Sequence, residues 1–561
     1  MKKPSPLTGA LTGGLLTLPL AVLFYLASQA VGLPFAPFDV LDWMARNLPG
    51  GVIRVILDLL VSLLTALSIS VRETAKAAEQ ILSLIGFVVT GAVAGLVLFL
   101  ALRGLRRWRG LFAGLIAGAA FGVPVMLMSL AVNLSAVGGP AAGAVWILAV
   151  FLMWGAAVGW VYDYLRGPEG AESAGGAMTV EQVDRRRFLI RAGTAVAAIT
   201  AAGAGLGAVL SPRVRRADAP STAVPRPSGG IGSGTPEQSV GAAVPDSGAA
   251  ELLSRLPNAD DPLQPAPGTR PEYTPLEEHF RIDINAVPPV IDGASWTLPI
   301  TGMVDNPLTL TLADLQNNYP PLHQFITLAC ISNTVGGNLI GTTLWTGVSL
   351  RQVLADARVQ PGAKYLRITA KDGYYETLSL DLVNRDERIM LTYLWDGKPL
   401  PAKHGFPLRI YIPDVYGMKQ PKWITGIEVT DTYEEGFWVA RNWDETARVQ
   451  TTSVIDTVAV EEVFEQAGQT LVPIGGIAHA GVRGISKVEV KVDDGEWVEA
   501  RLRAPLSDQT WVIWRYDWPF SAGPHTFTVR CEEGDGTPQS DLVAGSFPAG
   551  ATGYHRVRKN L

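Results

Sequence analysis

The chemistry open to this chain is narrowed by how rarely it uses cysteine: 561 residues contain two, Cys330 and Cys531. Cys330 lies in LACISN, residues 328–333, between an apolar strand-like run and the glycine-bearing turn TVGGN. Such a thiol is half of a disulfide, a buried space-filler, a nucleophile or a metal ligand. The last two roles require surroundings that stabilise the thiolate. Two cysteines do not make a disulfide framework. Cys531 lies in the strand-like FTVRC and reads as core.

The elements that must position Cys330 begin with a membrane region. Hydrophobic residues make up 48% of the chain and concentrate in the first 210 residues. Five segments are long and apolar enough to cross a hydrocarbon core of about 30 Å, which takes about 20 helical residues. They run over 11–31, 80–102, 111–133, 142–161 and 189–210. A sixth apolar run, 52–70, carries Arg54 and Asp58 and is not counted as a span. With five spans, Lys2 and Lys3, the arginines at 103, 106, 107 and 109, and those at 166, 185–187 and 191 all fall on one side. The excess of basic residues marks the inner face. The expectation is a multi-pass plasma-membrane protein with its N-terminus inside and everything after 211 outside, periplasmic or extracellular. DRRRFLI, 184–190, is similar to a twin-arginine export signal, although it is internal and has Asp184 and Ile190 at two atypical places.

None of the six histidines (His279, His323, His404, His479, His525 and His555) lies in a span. Haem b held between two membrane imidazoles is therefore not expected. If the bundle carries electrons, quinone is the better-suited agent; its simplest role is an anchor. A net charge of −6 argues against a nucleic-acid surface.

Residues 211–272 are rich in Pro, Gly, Ser and Ala and read as a flexible tether. The soluble part then divides. In 273–447, ITGMVDNPLTLTLADLQNNYP reads as strand, turn, strand and short helix, and SLRQVLADARV as an amphipathic helix. PLRIYIPD and WITGIEVTD read as strands. In 448–561, VAVEEVFEQ, TLVPIGGIAHA, ISKVEVKVD, EWVEARLR, TWVIWRYDW and HTFTVRCEE read as strands of a small β-sandwich.

Three ordered stretches carry a resemblance: LACISNTVGGNLIGTTLWTGVSLRQVL, WDGKPLPAKHGFPLRIYIPDVYGMKQPKWITGIEV, and GVRGISKVEVKVDDGEWVEARL followed by TWVIWRYDW. The chain resembles the sulfite oxidase family of molybdenum enzymes over about 275–545. The resemblance implies a multi-domain chain: an all-α transmembrane bundle, an α+β molybdopterin-binding domain of the sulfite oxidase type, and an Ig-like β-sandwich that dimerises many members. It implies a molybdenum–molybdopterin cofactor whose metal takes Cys330 as its protein ligand; a soft thiolate suits a soft redox metal. It places His404 and Arg409 of HGFPLR, Lys419 and Lys422 of YGMKQPKW, Asn285 of HFRIDIN and Asn333 near the pterin or its phosphate. Tyr374, or the adjacent Tyr375, falls where the family has an active-site tyrosine.

The departures from the family pattern concern the substrate. Sulfite-oxidising members hold their anion with arginines just before the position of Asn285 and just after the Cys-x-x-Asn turn. Here those places are Asp283-Ile284 and Thr334-Val335. Sulfite is thus in question, since oxyanion binding relies on paired guanidinium groups. No haem-attachment motif is present, so a separate electron partner, a cytochrome or quinone, is expected. The expected activity is oxygen-atom transfer on a small or sulfur-containing substrate. The alternatives are a methionine-sulfoxide-type reductase of the same family, or a non-catalytic sensor or scaffold.

Overall fold

The computed structural model describes residues 4–31, 33–47, 71–104, 109–132, 139–166, 247–285 and 287–561. The chain divides into a helical unit and a β-rich unit. The helical unit contains α1 (Pro6–Val31), α2 (Ala36–Asn47), α3 (Val71–Gly104), α4 (Gly110–Val132) and α5 (Gly139–Arg166). Four of these are long and apolar enough to cross a membrane: α1, α4, α5 and the part of α3 from Gln80 to Gly104. The expected fifth span at 189–210, the run at 52–70 and the twin-arginine-like motif lie outside the described residues. The short helix α2 has no counterpart in the sequence reading; its Asp39 accepts a 2.6 Å hydrogen bond from Ser129 on α4.

Helices α4 and α5 meet closely, and glycine is the reason. A Cβ built on Gly114 would run into the carbonyl oxygen of Gly155, and one on Gly155 into that of Gly114. Bare backbones meet there, as small-residue membrane interfaces allow. Around them Phe24, Phe99, Phe151 and Trp154 fill the interior of the bundle. At one end Asp163 accepts from the backbone N–H groups of Gly110 (2.8 Å) and Leu111 (3.2 Å), capping the start of α4.

The β-rich unit begins inside the expected tether, which corrects that expectation from residue 247 onward. There α6 (Ser247–Ser254) buries Ala249 completely against Phe325 and Leu344. The Arg503 guanidinium donates to the carbonyls of Asn258 (3.1 Å), Asp261 (3.1 Å) and Leu263 (2.9 Å), and Arg270 pairs with Asp456 at 2.6 Å. Pro- and Gly-rich composition reads as flexible, but here distant partners satisfy the backbone that would otherwise need water.

Ten strands build the next region. They are β1 (Thr297–Gly302), β2 (Leu308–Thr311), β3 (Leu322–Ala329), β4 (Ile340–Ser349), β5 (Tyr365–Ala370), β6 (Tyr375–Ser379), β7 (Met390–Trp395), β8 (Lys398–Pro399), β9 (Arg409–Tyr411) and β10 (Ile424–Thr430). One sheet has the order β2-β1-β10-β5-β6, with β1 parallel to β10. The other has the order β3-β4-β7-β8, with β9 added on β7. A capping box starts α7 (Leu312–Asn318): Thr311 Oγ1 accepts from Asp314 N at 3.1 Å, and the Asp314 carboxylate accepts from Thr311 N at 2.8 Å. Helices α8 (Leu350–Ala357) and α9 (Leu380–Arg385) close the main core, in which Leu298, Ile300, Leu366, Ile368 and Val429 are wholly or almost wholly buried.

The last region is a two-sheet sandwich. One sheet holds β11 (Thr452–Val458), β12 (Phe464–Gln466), β13 (Gln469–His479), β16 (Arg501–Leu502) and β17 (Val512–Pro519). The other holds β14 (Ile485–Val492), β15 (Val498–Glu499), β18 (Pro524–Glu533) and β19 (His555–Asn560). Val472, Ile474 and Trp514 meet Val488, Phe527 and Cys531 between them, so Cys531 is a core side chain. VAVEEVFEQ is not one strand: a turn separates the end of β11 from β12.

This sandwich also pins the strand that leads to Cys330. A loop before β17 pairs with the outer side of β3: Ser507 Oγ donates to Phe325 O (2.6 Å), Thr327 N to Gln509 O (3.1 Å), and Trp511 N to Thr327 Oγ1 (2.9 Å).

Candidate functional site

Cys330 stands one residue beyond β3, at the turn end of the β3–β4 hairpin, next to its last pair, Ala329 with Ile340. Its N–H donates to Leu339 O at 2.9 Å, so the ladder continues past the strand ends. Asn333 closes the turn: its N–H donates to Cys330 O (3.0 Å) and its side-chain oxygen accepts from Leu339 N (2.9 Å). The carbonyl of the Asn333 amide is therefore engaged in shaping the loop. The Cys330 side chain is 8% exposed, its sulfur 3.0 Å from Ser332 Oγ, and burial pushes its pKa up. A thiol so placed needs a cation to become a thiolate.

Behind Cys330 lies a cluster of Phe280, Trp345, Trp395 and Tyr411. Strand β9 delivers Arg409 into it. The guanidinium carbon sits 4.6 Å from the Trp345 ring centroid and 5.0 Å from that of Trp395, and one NH donates to His404 O at 3.1 Å. Arg409 is 3% exposed, and burial lowers its pKa to about 9, with no carboxylate among the described residues to offset that. The His404 ring lies 4.8 Å from that of Trp395 between centroids, tilted by 38°. Burial, followed by the charges of His279 and Arg409, pushes its pKa well down, so the ring is neutral.

Four buried nitrogens of this cluster have no acceptor or donor partner among the described residues: His404 Nε2, Arg409 Nε, Trp345 Nε1 and Trp395 Nε1. Buried polar groups are normally paired, and an orphan costs roughly 1–3 kcal/mol. Their chemistry fits a ligand with many hydrogen-bonding edges and an anionic group, as a pterin bearing phosphate has. The two tryptophans were not singled out from the sequence. The signal was there, in LWTG and LWDG, but an indole in an apolar strand reads as core.

Tyr374 directs its hydroxyl to the carbonyl of Met418, and its ring lies 5.2 Å from that of Phe437. Burial raises its pKa well above the ordinary phenol value, and the charges of Glu376, Asp372 and Cys330 add to this. Met418 in turn packs with Ala329 and Ile331, the residues on either side of Cys330. Tyr374 and Tyr375 are both half-buried; it is Tyr374 whose hydroxyl is directed to the Met418 carbonyl.

The two lysines stand differently from the simple donors expected. Lys419 Nζ is 2.5 Å from Glu376 Oε1, and both side chains are buried. Burial holds the Glu376 carboxyl above its ordinary range in spite of Lys419. Lys422 pairs with Asp283, donates to Ile282 O at 3.1 Å and lies over the Trp423 ring at 4.4 Å; Asp283 also holds Arg281. Glu376 and Asp283, which share the lysines, were not anticipated as their partners. Asn285 falls in Ile284–Val287, a segment counted with the helical unit, and is not among the residues gathered here.

Residues 284–438 match the family described as the oxidoreductase molybdopterin binding domain. The chain is 27% identical over 264 residues to nitrate reductase [NADPH] of Fusarium oxysporum, covering 39% of this chain and 29% of that protein. It is 28% identical over 275 residues to sulfite oxidase of Arabidopsis thaliana, covering 40% and 69%. It is 32% identical over 152 residues to the uncharacterized oxidoreductase YuiH of Bacillus subtilis (strain 168), covering 27% and 74%. The chain thus spans less than a third of the fungal nitrate reductase it matches. From the matched domain, the relatives and the orphaned donors beside Cys330 together, the chain belongs to the sulfite oxidase family of molybdopterin-dependent oxidoreductases, with molybdenum–molybdopterin as its cofactor.

Proposed function

We propose that this protein is a membrane-anchored oxidoreductase that exchanges an oxygen atom with a small or sulfur-containing substrate on the outer side of the membrane. The observation that carries the reading is the set of buried, unpartnered nitrogens on His404, Arg409, Trp345 and Trp395 in the cluster that contains Cys330. When bound, the cofactor supplies two-electron oxygen-atom exchange, while the protein orients it and its substrate.

In this reading Cys330 gives its sulfur to the metal, and the metal's charge offsets the burial that otherwise keeps the thiol protonated. Arg409 and His404 hold the anionic and polar edges of the pterin, and the indole N–H groups of Trp345 and Trp395 add two fixed donors. Tyr374, anchored on Met418 O, closes the substrate side. Asn333 acts by fixing the turn, while Lys419 and Lys422 act through Glu376 and Asp283. The apolar helices anchor the chain, with the basic clusters inside. A cytochrome or quinone exchanges electrons with the site, and the Ig-like sandwich pairs two copies.

Molybdenum and pterin analysis of the purified protein, followed by turnover of a panel of sulfite, nitrate, sulfoxides and N-oxides, tests the reading. A metal-free, pterin-free protein that has been expressed with the cofactor available refutes it.

A further inference from the structure

We propose that Ser332 is a positioning residue for the metal: its hydroxyl donates to the Cys330 sulfur and raises the reduction potential of the metal that sulfur holds. The inference rests on Cys330 being the metal ligand, as read above. Ser332 Oγ stands 3.0 Å from Cys330 Sγ, and the Ser332 backbone N–H is directed to the same sulfur. A thiolate bound to a metal has no proton to give, so in the loaded site the hydroxyl is the donor. Among the described residues no other side chain is hydrogen-bonded to that sulfur. Its wider surroundings are apolar, in the cluster with Phe280, Leu328, Trp345 and Met390.

The backbone holds the hydroxyl in place. Residues 330–333 form a four-residue turn closed by the Asn333 N–H on Cys330 O at 3.0 Å, with Ser332 at its third position. Both ends of the turn are tied to Leu339: the Cys330 N–H donates to its carbonyl, and the Asn333 side-chain oxygen accepts from its N–H, each at 2.9 Å. The loop that follows is packed as well. Gly336 has a φ of +80°, and a Cβ there would run into the His555 ring of β19. That ring is itself held, because its Nδ1 accepts from the Ile455 N–H at 3.1 Å. A residue two places from the ligand thus turns two donors on its sulfur from a fixed backbone.

The sign of the effect follows from charge. A reduced metal leaves more negative charge on its ligands, so a donor to the sulfur stabilises the reduced state more than the oxidised one. Hydrogen bonds to coordinating sulfurs set reduction potentials in this way, and partners beyond the ligands tune metal sites generally. Because the Cys330 side chain is buried, water does little to screen the contact. The hydroxyl makes the oxidised metal easier to reduce; without it the reduced metal is the stronger electron donor.

The test uses the full chain in detergent, with molybdenum and pterin quantified on each sample. Potentiometry read by the paramagnetic resonance of the half-reduced metal gives the first one-electron potential. Ser332→Ala removes the hydroxyl and is expected to shift that equilibrium about tenfold toward the oxidised metal, a fall of about 59 mV. Ser332→Thr keeps a hydroxyl and is expected to stay within about threefold of the wild type. Ser332→Gly removes the same hydroxyl and takes the place of Ser332→Ala if that variant does not fold. A potential that is unchanged or raised in loaded Ser332→Ala, or lowered equally in Ser332→Thr, overturns the proposal. So does a folded Ser332→Ala without molybdenum beside a loaded wild type, since the hydroxyl then seats the metal instead of tuning it. A wild type without molybdenum and pterin overturns the reading of Cys330 itself, and the role of Ser332 with it.

Discussion

Arg409 offers the sharpest test of the cofactor cradle, because its charge is a liability until something anionic arrives. Its pKa falls from an ordinary value of about 12.5 to about 9 through burial alone. At 1.36 kcal/mol per pH unit that is a cost of about 5 kcal/mol for holding the cation there without an anionic ligand. Two indole faces and one carbonyl return roughly 3 kcal/mol, which leaves a deficit of about 2 kcal/mol in the cofactor-free protein. The sign is that of a buried cation: at neutral pH the guanidinium is protonated in the folded and the unfolded chain alike, so the folded protein carries the whole deficit there. Arg409→Met, similar in length and uncharged, is expected to raise the unfolding temperature of protein made without the cofactor by a few degrees, at about 2–4 °C per kcal/mol. The same variant made with the cofactor available is expected to retain less than about a tenth of the wild-type pterin, since a charge-assisted pair is lost. Thermal unfolding of both preparations and pterin fluorescence are the assays. If Arg409→Met destabilises the cofactor-free protein, the guanidinium is a structural brace between Trp345 and Trp395 and its assignment to the cradle fails.

Cys330→Ser is expected to abolish bound molybdenum while changing unfolding free energy by less than about 1.5 kcal/mol, the range of near-isosteric replacements; metal analysis and thermal unfolding check both halves. Gly155→Leu is expected to force α4 and α5 apart at Gly114 and to destabilise the helical unit by several kcal/mol, read as a lower midpoint in a detergent-denaturation series. His479 is buried with both ring nitrogens unpartnered among the described residues, and burial lowers its pKa to about 3. Because the unfolded state alone takes up the proton between pH 6.5 and 3, its contribution to stability is complete above pH 6.5 and falls as pH drops. From pH 6.5 to 5 the loss is about 2 kcal/mol, and it should vanish in His479→Gln; denaturant unfolding at several pH values measures it.

Much of the fold was readable from local pattern. Four of the five apolar segments are helices of spanning length, because apolarity over about 20 residues needs no distant partner. ITGMVDNPLTLTLADLQNNYP became β1, β2 and α7, and SLRQVLADARV became α8, each with its own turn or cap chemistry. The stretch at 247–272 was misread for the opposite reason. Nothing in its own composition reports that Arg503 and Asp456, far along the chain, will satisfy its backbone and side chains.

The candidate site divides along the same line. The sequence by itself determined which residue types carry chemistry: the lone Cys330, His404 and Arg409 five residues apart, and a tyrosine pair at 374 and 375. Only the tertiary structure decided their states. It directed the Tyr374 hydroxyl to the Met418 carbonyl, engaged the Asn333 carbonyl in the loop, left two indole N–H groups and the Arg409 Nε without acceptors among the described residues, and paired Lys419 with Glu376. Residue type and spacing are written locally. Charge balance and hydrogen-bond satisfaction belong to groups that meet across 43 residues, for Lys419 with Glu376, or 139, for Lys422 with Asp283. In a buried, low-dielectric site those meetings outweigh the intrinsic character of each side chain.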